Sequence, residues 1–334
     1  MNTNIELFED VASVPIRKAH FSVKPKFTFV IPTYKRGELL KFAVNSILVQ
    51  IADEKVEILI GDNNPERQDI TEQYVCTLTD NRISYYKHQK NLGAAGNWTR
   101  VCQLAQGEWI IMLHDDDMLY PDYFACMKKV MSVYPQKNIV GIFPAFNSAA
   151  FQGTNQPKRK DGRIQVRYIH LDDFLEGCVL ACPIGMCIKK NAFLQVKGYD
   201  TKAYPSIDYD FYVRLIQVGK IIKQYGYPTA TWRIQQNDSM NKNVMLDCVK
   251  QVTDMQDKIL KIIHREWLRP LLKRRNRVFH NQHVAFWYNE MRHAKPDIAD
   301  LVEYSWVDRV TYNFFKVYFK FHRHIRLGTK SFKI

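Results

Sequence analysis

The sequence of 334 residues lacks the patterns that mark secreted, membrane-spanning or disulfide-bonded proteins. Its first ten residues contain no basic stretch followed by an apolar run, so we expect no secretory signal there. The apolar stretch 177–188 is too short and too interrupted to span a bilayer. The seven cysteines are scattered without a C-x-x-C pair, which favours reduced thiols that pack inside a cytoplasmic protein.

Charge is distributed unevenly along the chain. Apolar residues make up 46% and charged residues 25% of the sequence, which is ordinary for a globular protein of one large or two small domains. The net charge is +14, and residues 241–334 supply 19 Lys and Arg against 9 Asp and Glu, a surplus of 10. The basic C-terminal segment therefore predicts contact with an anionic surface, such as membrane lipid, an acidic polymer or nucleic acid.

Short apolar runs alternate with segments of helical periodicity through the first half of the chain. The predicted strands are 27–31, 56–60, 83–86, 109–113 and 139–146. The predicted helices between them are 38–49, 68–78, 97–105 and 121–133. Because the links are short, this alternation predicts an α/β fold with a doubly wound, mostly parallel sheet flanked by helices.

The other segments are less regular. We expect an irregular lead-in over 1–25, a mobile surface loop over 148–167, a short helix over 171–177, and strands over 184–188 and 225–233. Helical spacing returns over 244–263 and 267–291, before a basic, aromatic-rich stretch over 310–334. The chain thus divides into a lead-in (1–25), an α/β domain (26–240) and a helical C-terminal region (241–334).

Three carboxylates come directly after one of the buried strands. Asp115, Asp116 and Asp117 follow the apolar run 109–113, at the strand end where open α/β sheets bind ligands. Adjacent carboxylates repel one another unless a cation or water relieves them. A divalent metal held by carboxylates and substrate phosphates meets that need, and a solvated acidic loop is the alternative.

Polar groups and glycines also follow the other strands. Tyr34 offers a flat ring, Asp62 offers a carboxylate acceptor, and Gly93 and Gly96 allow close approach of the backbone. Each residue alone is ordinary loop chemistry. Together, at successive strand ends, they predict one crevice suited to a nucleotide with a metal-bound diphosphate.

Five motifs, in this order, resemble those of the family-two glycosyltransferases of GT-A fold. They are FVIPTYKR (29–36), EILIGDN (57–63), NLG (91–93), LHDDD (113–117) and DYDFYVRL (208–215). The resemblance covers about residues 27–240. It implies a Rossmann-like GT-A domain with a C-terminal helical extension. It also implies transfer of a sugar from a nucleoside-diphosphate sugar, with a UDP-sugar as the expected donor, to a hydroxyl acceptor with inversion at the anomeric carbon.

The resemblance also assigns roles to individual residues. It implies that Asp208 is the catalytic base, and that Asp115 and Asp117 hold a divalent metal, Mn²⁺ or Mg²⁺. The residues expected to bind the nucleotide sugar are Pro32, Thr33, Tyr34, Arg36, Asp62, Asn91, Gly93, Asp115, Asp116 and Arg233. Thr33 and Tyr34 would contact the base, and Asp62 would accept a hydrogen bond from it. Arg233 would lie in a late loop that closes over the diphosphate.

Three positions depart from the family's pattern. His114 stands where the family often has Asp, Ile207 where Glu is common, and Gln235 where many relatives have His. The departures at His114 and Gln235 change the set of possible metal ligands. Asp208 also has an interpretation without catalysis, because an acid in the first helical turn can cap the helix, which stabilises it by about 0.5–2 kcal/mol.

The family resemblance implies a saccharide or lipid-linked acceptor, in bacterial surface polysaccharide or glycolipid synthesis. Aromatic and basic residues mix over 310–334 without an acid, which suits the surface of an anionic membrane. We therefore expect a cytoplasmic protein that can bind the cytoplasmic face of the membrane. Packing of these aromatic residues on the α/β domain is the alternative.

Two other functions fit parts of the sequence less well. A nucleotidyltransferase on a similar sheet usually has a Gly-rich phosphate loop after the first strand, and residues 32–36 contain no glycine. A non-catalytic protein that binds an anionic polymer would not explain acids in the crevice, because acids repel phosphate without a metal. We expect no nucleic-acid partner.

Overall fold

The computed structural model describes residues 5–52, 54–134, 138–150, 153, 155–159, 162–234, 241–290, 296–325 and 330–332. The strands are β1 (Ser13–Arg17), β2 (Phe27–Thr33), β3 (Val56–Asp62), β4 (Ile83–His88), β5 (Trp109–Met112), β6 (Met118–Leu119), β7 (Ile139–Phe143), β8 (Phe146–Ala149), β9 (Ile164–Ile169), β10 (Cys187–Lys189), β11 (Lys220–Tyr225), β12 (Ala230–Arg233) and β13 (Lys330–Phe332). The α-helices are α1 (Gly37–Leu48), α2 (Ile70–Thr77), α3 (Gly93–Leu104), α4 (Tyr123–Val133), α5 (Lys190–Gln195), α6 (Ile207–Leu215), α7 (Lys242–Ile262), α8 (Arg269–Glu290) and α9 (Trp306–Ile325).

A ten-stranded sheet in the order β1-β4-β3-β2-β5-β10-β7-β11-β9-β13 forms the centre of the molecule. Strands β2, β3, β4, β5, β7, β11 and β13 run in one direction, while β1, β9 and β10 run in the opposite one. Strands β2, β3 and β5 are buried along their whole length, as their continuous apolar runs predict. The predicted α/β fold with a mostly parallel sheet is confirmed.

Helices cover both faces of the sheet because successive strand residues point to opposite sides. Phe29 and Ile31 of β2 pack in one cluster with residues of α1, α2 and α4. Val30, between them, belongs to a second cluster with residues of α3, α6, α7 and α9. The side chains of α9 that join this cluster are Phe315 and Phe319, so the C-terminal region shares the core of the α/β domain.

Two predicted strands are each divided in the structure. The predicted strand 139–146 is two strands, β7 and β8. The predicted strand 225–233 contains β12 and only the last residue of β11, so residues 220–224 of β11 were not predicted. The breaks coincide with Pro144, which has no N–H to donate, and with Gly226 at a φ of +84°. Consequently β8 and β12 lie outside the large sheet, and β12 pairs with both β6 and β8 in a small sheet of order β6-β12-β8.

The prediction of an irregular lead-in was wrong for residues 13–17. These residues form β1, which pairs antiparallel with β4 at the edge of the large sheet. The lead-in is also held by Arg100 of α3, whose guanidinium donates to the backbone oxygens of Phe8 and Val11. β1 was missed because it is short, contains Pro15 and has no buried residue.

The prediction of a surface loop over 148–167 was also wrong at both ends. The segment begins inside β8, and its last residues belong to β9, which pairs with β11 and β13. Ile164 and Val166 of β9 are buried while Gln165 between them is exposed, a strand alternation hidden by the polar composition. The predicted helix 171–177 is a 3₁₀ helix, Leu171–Leu175, and the predicted strand 184–188 is β10, shifted toward its C-terminal side.

Three long helices make up most of the C-terminal region. Buried Asp308 of α9 accepts from Ser305 and pairs with Arg274 and Arg277 of α8, which fixes α9 against α8. Among the residues that the structure describes, no helix has the length and apolar character needed to cross a membrane. The boundary at residue 240 stays a prediction, because α7 and α9 pack into the core of the preceding domain.

Candidate active site

The carboxyl ends of β2 and β3 bring two predicted site residues to one edge of the sheet. Thr33 and Asp62 are opposite one another in the register of the parallel pair. The next strand on the other side of β2 is β5, whose end leads directly into the three aspartates. The residues predicted to line the crevice therefore lie at one edge of the sheet, because the strands that precede them run parallel.

Asp115 and Asp116 are held from the β2 side of this edge. The Thr33 hydroxyl donates to Asp115 Oδ2 at 2.7 Å. Arg36 Nη1 donates to Asp116 Oδ2 at 2.8 Å and lies 3.5 Å from Asp115 Oδ1. Burial and the charge of Asp116 raise the pKa of Asp115 to about 6. The alternative of a solvated acidic loop is wrong, because all three aspartates are buried.

Asp117 is bound on one oxygen and has no hydrogen bond on the other. Its Oδ1 accepts from the backbone N–H of Arg233 at 2.9 Å. Its Oδ2 is buried, makes no hydrogen bond within the described chain, and lies 3.6 Å from His114 Nδ1. Burial and the nearby charge of Asp116 raise the pKa of Asp117 to about 7. A buried carboxylate oxygen without a donor has the properties of a metal ligand.

The cluster that could hold a metal ion consists of His114, Asp116 and Asp117. Each offers one ligand atom, and the three atoms lie within 4.8 Å of one another. The orphaned Oδ2 of Asp117, which lies 3.6 Å from His114 Nδ1, favours a cation there. The predicted metal role of Asp115 stays a prediction, and its two oxygens contact Thr33 and Arg36.

The His114 ring is fixed by an aromatic neighbour that the sequence did not indicate. Trp98 of α3 stacks on the imidazole, with ring centroids 4.6 Å apart and an interplanar angle of 28°. Tyr199 meets the edge of the Trp98 ring at 5.3 Å. Burial disfavours protonation of His114, but the carboxylates of Asp117, Asp116 and Asp208 together raise its pKa.

Asp208 lies at the same site and is not the residue that caps α6. The N-cap is Ser206, and Asp208 is the second residue of the helix. Its Oδ1 is buried and makes no hydrogen bond with any described residue. Burial raises the pKa of Asp208 to about 7, and the charge of His114 opposes this rise. The charges of Asp208 and His114 interact, so Asp208 lies near the acid cluster, and its role as the catalytic base stays a prediction.

Asp62 is enclosed by the protein. Its carboxylate accepts from the Tyr85 hydroxyl at 2.7 Å, from Lys87 Nζ at 2.8 Å and from the Asn64 backbone N–H at 2.9 Å. The residue has no solvent exposure, and burial raises the pKa of its carboxyl although Lys87 opposes that rise. Its predicted contact with the nucleotide base remains a prediction. The position of Lys87 was not foreseen.

Asn91 and Gly93 form a turn that is tied to the end of β3 by Asn63. Asn63 Nδ2 donates to Asn91 Oδ1 at 2.8 Å, and the same oxygen accepts from the Gly93 backbone N–H at 2.8 Å. Gly93 has a φ of +69°, a conformation that favours glycine. Pro32 is buried within β2, whereas the Tyr34 ring is 43% exposed and available to stack on a ligand.

Arg233 lies in a strand, so the prediction that it belongs to a loop was wrong. It is the last residue of β12, which pairs with β6. Strand β6 consists of the two residues that directly follow the acid triplet. Its buried guanidinium donates to the backbone oxygens of Asp116 at 2.8 Å and Gly153 at 3.1 Å. Arg233 thus fixes the backbone of the acid triplet, and its predicted contact with the diphosphate stays a prediction. Gln235 lies outside the described residues.

The sequence model of one protein family, described as Glycosyl transferase family 2, matches residues 28–200. An uncharacterized glycosyltransferase of Haemophilus influenzae is 25% identical over 194 residues, which are 57% of this chain and 62% of that protein. The GalNAc(5)-diNAcBac-PP-undecaprenol beta-1,3-glucosyltransferase of Campylobacter jejuni is 36% identical over 98 residues, 28% of this chain and 31% of that one. The chain thus spans less than two thirds of the length of these relatives.

Two solved structures share the architecture. Residues 1–349 of Staphylococcus aureus TarS, in complex with UDP-GlcNAc, align with a TM-score of 0.53 at 11% identity, over 87% of this chain and 92% of that one. The mannosyltransferase PcManGT of Pyrobaculum calidifontis, in complex with GDP-Man and Mn²⁺, aligns with a TM-score of 0.52 at 12% identity, over 94% and 87%. At these identities the likeness shows the fold, which confirms the predicted GT-A architecture.

Proposed function

Because the chain belongs to glycosyl transferase family 2, we propose that it transfers a sugar from a nucleoside-diphosphate sugar to a hydroxyl acceptor, with inversion at the anomeric carbon. One observation carries the proposal. The Asp208 carboxylate has a buried oxygen without a hydrogen bond among the described residues, and it interacts electrostatically with His114 of the metal cluster. A general base and a diphosphate site are the two parts that such a transfer needs.

Asp208 acts as the base in the proposed reaction. The acceptor oxygen forms a bond to the anomeric carbon, the bond from that carbon to the diphosphate oxygen breaks, and the acceptor proton passes to the Asp208 carboxylate. A pKa of about 7 suits this role, because the base must accept the proton and later release it near neutral pH. Attack from the face opposite the diphosphate inverts the anomeric carbon.

The donor is proposed to bind across the ends of β2, β3 and β5. Asp115, held by the Thr33 hydroxyl, would accept from the ribose, and the exposed Tyr34 ring would stack on the base. Arg36 offsets the repulsion between Asp115 and Asp116. A divalent metal, when bound by the acid cluster, would neutralise the charge that accumulates on the departing diphosphate.

We propose a UDP-sugar as donor, as the family resemblance first suggested. Of the two solved structures described above, TarS is in complex with UDP-GlcNAc and PcManGT with GDP-Man, so a comparison of the two nucleobases is informative. We expect a UDP-sugar, in the presence of Mn²⁺, to raise the midpoint of thermal unfolding of the full chain, because a ligand that binds only the folded state stabilises it. A screen of UDP-, GDP- and dTDP-sugars with and without Mn²⁺ measures this effect.

The screen also has a clear negative result. If no nucleotide sugar raises the midpoint under any metal condition, the proposed donor site is wrong. Stabilisation by GDP-sugars alone would contradict the proposed uracil nucleotide of the donor and leave the proposed class of reaction unchanged. A positive donor is then incubated with acceptor, and release of the nucleoside diphosphate above the rate without acceptor measures transfer.

For the acceptor we propose a lipid-linked saccharide in the synthesis of a surface polysaccharide or glycolipid. The relative from Campylobacter jejuni is named as a glucosyltransferase that acts on an undecaprenol-linked saccharide, which supports this class. Such acceptors lie in the membrane. A cytoplasmic enzyme that uses them therefore benefits from a surface that binds the bilayer.

One face of α9 has the properties of such a surface. Its outward side chains are spaced three or four residues apart along the helix and are 57–77% exposed; they are Trp306, Val310, Phe314, Val317 and Phe321. We call this set the outer face of α9. Exposed Arg309, Lys316 and Lys320 accompany it, and residues 310–334 contain no acid. Apolar and aromatic residues beside basic ones suit the headgroup region of an anionic bilayer.

Val317→Asp is expected to reduce binding to anionic vesicles by about tenfold or more, because it removes about 1.5 kcal/mol of apolar burial and adds a like charge. Flotation with phosphatidylglycerol vesicles measures the bound fraction. Val23→Asp is the matched control, since Val23 and Val317 have similar exposures of 65% and 67%. Equal binding by both variants and the parent would exclude a membrane role for the outer face of α9.

A further inference from the structure

We propose that His114 is a nitrogen ligand of the divalent metal, together with Asp116 and Asp117, and that this ligand makes the site prefer Mn²⁺ to Mg²⁺. The proposal rests on the proposed function only in requiring a metal site at the donor crevice. It differs from the sequence prediction, which assigned the metal to Asp115 and Asp117.

The positions of the atoms support a shared ligand site. His114 Nδ1 lies 3.6 Å from Asp117 Oδ2, and the whole cluster offers three ligand atoms within 4.8 Å. Two neighbouring ligands at about 2.1 Å from a metal lie roughly 3.0–3.4 Å apart. Only small side-chain movements are therefore needed to close the cluster around an ion.

Hydrogen bonding distinguishes the carboxylate of Asp117 from that of Asp115. Asp117 is 1% exposed, yet its Oδ2 makes no hydrogen bond in the described part of the chain, and neither does the buried His114 Nε2. Asp115 instead accepts from Thr33 at 2.7 Å and faces Arg36 at 3.5 Å. A cation between His114 Nδ1 and Asp117 Oδ2 meets a buried oxygen to which no described residue donates. Arg36 donates to Asp116 Oδ2 at 2.8 Å, so Asp116 would bind the metal through its other oxygen.

The imidazole is held in place before any ion binds. Trp98 stacks on it at 4.6 Å, and Tyr199 packs against the edge of Trp98. Tyr199 is itself buried, so this wall is part of the core. A ligand held in one orientation loses little freedom on binding, which raises metal affinity.

The type of ligand decides the preferred ion. Mg²⁺ favours oxygen ligands and retains most of its water, while imidazole nitrogen binds transition metals better. With Asp in place of His114, as the family often has, the cluster would contain only oxygen. The histidine therefore lowers the affinity for Mg²⁺ relative to Mn²⁺ without changing the fold of the site.

The test uses the full chain with UDP and Mn²⁺ alone as the probe, so that no turnover is needed. Pulsed electron paramagnetic resonance of bound Mn²⁺ should show coupling to a ¹⁴N nucleus, and labelling histidine with ¹⁵N should change that coupling. Displacement of Mn²⁺ by Mg²⁺ should require about tenfold or more excess Mg²⁺. These measurements on the parent protein do not depend on the stability of a variant.

His114→Asp then identifies the histidine. This variant should bind Mn²⁺ without the nitrogen coupling, and its preference for Mn²⁺ over Mg²⁺ should fall by about tenfold. His20→Asp, a change at an exposed histidine of the lead-in, should leave both properties unchanged. Mn²⁺ bound without nitrogen coupling in the parent, coupling retained in His114→Asp, or no Mn²⁺ binding at all would overturn the proposal.

The outcome is independent of the proposed transfer reaction. If the nitrogen coupling is present but no nucleotide sugar is ever turned over, the ligand assignment holds and the proposed function fails. If transfer occurs with bound Mn²⁺ that has no nitrogen neighbour, the function holds and the assignment of His114 fails.

Discussion

Asp208→Asn is expected to lower the turnover number by about a thousandfold while the affinity for UDP stays unchanged, because a general base contributes about 10²–10⁴-fold to the rate. Asn has nearly the shape of Asp but cannot accept the acceptor's proton. The buried Oδ1 of Asp208 makes no hydrogen bond among the described residues, so we expect its replacement to leave the donor site intact. Steady-state kinetics and calorimetric titration with UDP measure the two properties separately.

Asp210→Asn is the matched control for this variant. Asp210 lies two residues further along α6, but its carboxylate accepts from Arg214 at 2.8 Å and lies 3.4 Å from Lys258. The control should lower the free energy of unfolding and leave turnover close to that of the parent. If Asp208→Asn instead loses UDP affinity and turnover together, or loses only stability, Asp208 is a structural residue of the helix and another base must be sought.

Asp117→Asn is expected to change activity and stability in opposite directions. Turnover should fall by about a hundredfold or more, because a buried ligand oxygen that faces the metal cluster is lost. In chelator, the midpoint of thermal unfolding at pH 8 should rise by about 2 °C or more, because a buried charge without a donor on one oxygen is removed. Asn retains the oxygen that accepts from the Arg233 backbone N–H.

The gain in stability should depend on pH with a definite sign. The Asp117 carboxyl has a pKa of about 7 in the folded chain, whereas unfolded chains have a value of about 4. Between these pH values the folded chain retains a proton that the unfolded chain has released, so the parent loses stability as pH rises. The variant lacks this loss, and the difference between the two midpoints should grow from pH 5 to pH 8. A difference that is constant or shrinks would contradict the raised pKa.

The elements that could be predicted from the sequence are those with a clear pattern within their own residues. Strands β2, β3 and β5 are apolar throughout because helices cover both of their faces, so they stand out from the polar loops around them. The acid triplet could be recognised because its three charges directly follow the apolar run of β5. Parallel pairing then brought Thr33, Asp62 and the triplet to one edge, as expected.

The missed elements depend on partners that are distant in the sequence. β1 and β9 are stabilised by pairing with β4 and β11, and neither shows a clear pattern by itself. The enclosure of Asp62 depends on Lys87, 25 residues away, which is buried only because β4 lies beside β3. The pairing of His114 with Asp117 could have been suspected, because His114 directly precedes the triplet and is three residues from Asp117.

The two sides of α9 set a limit on how the proposed membrane contact could be altered. Phe315 and Phe319 are embedded in the core, so deleting the helix would open a hole in the catalytic unit and remove more than a lipid contact. Retargeting is therefore possible by exchanging only the outward residues and keeping the inward ones as an invariant scaffold. If the outer face of α9 binds lipid, the packing of Phe315 and Phe319 into the core would hold the donor crevice at one height and tilt above the bilayer.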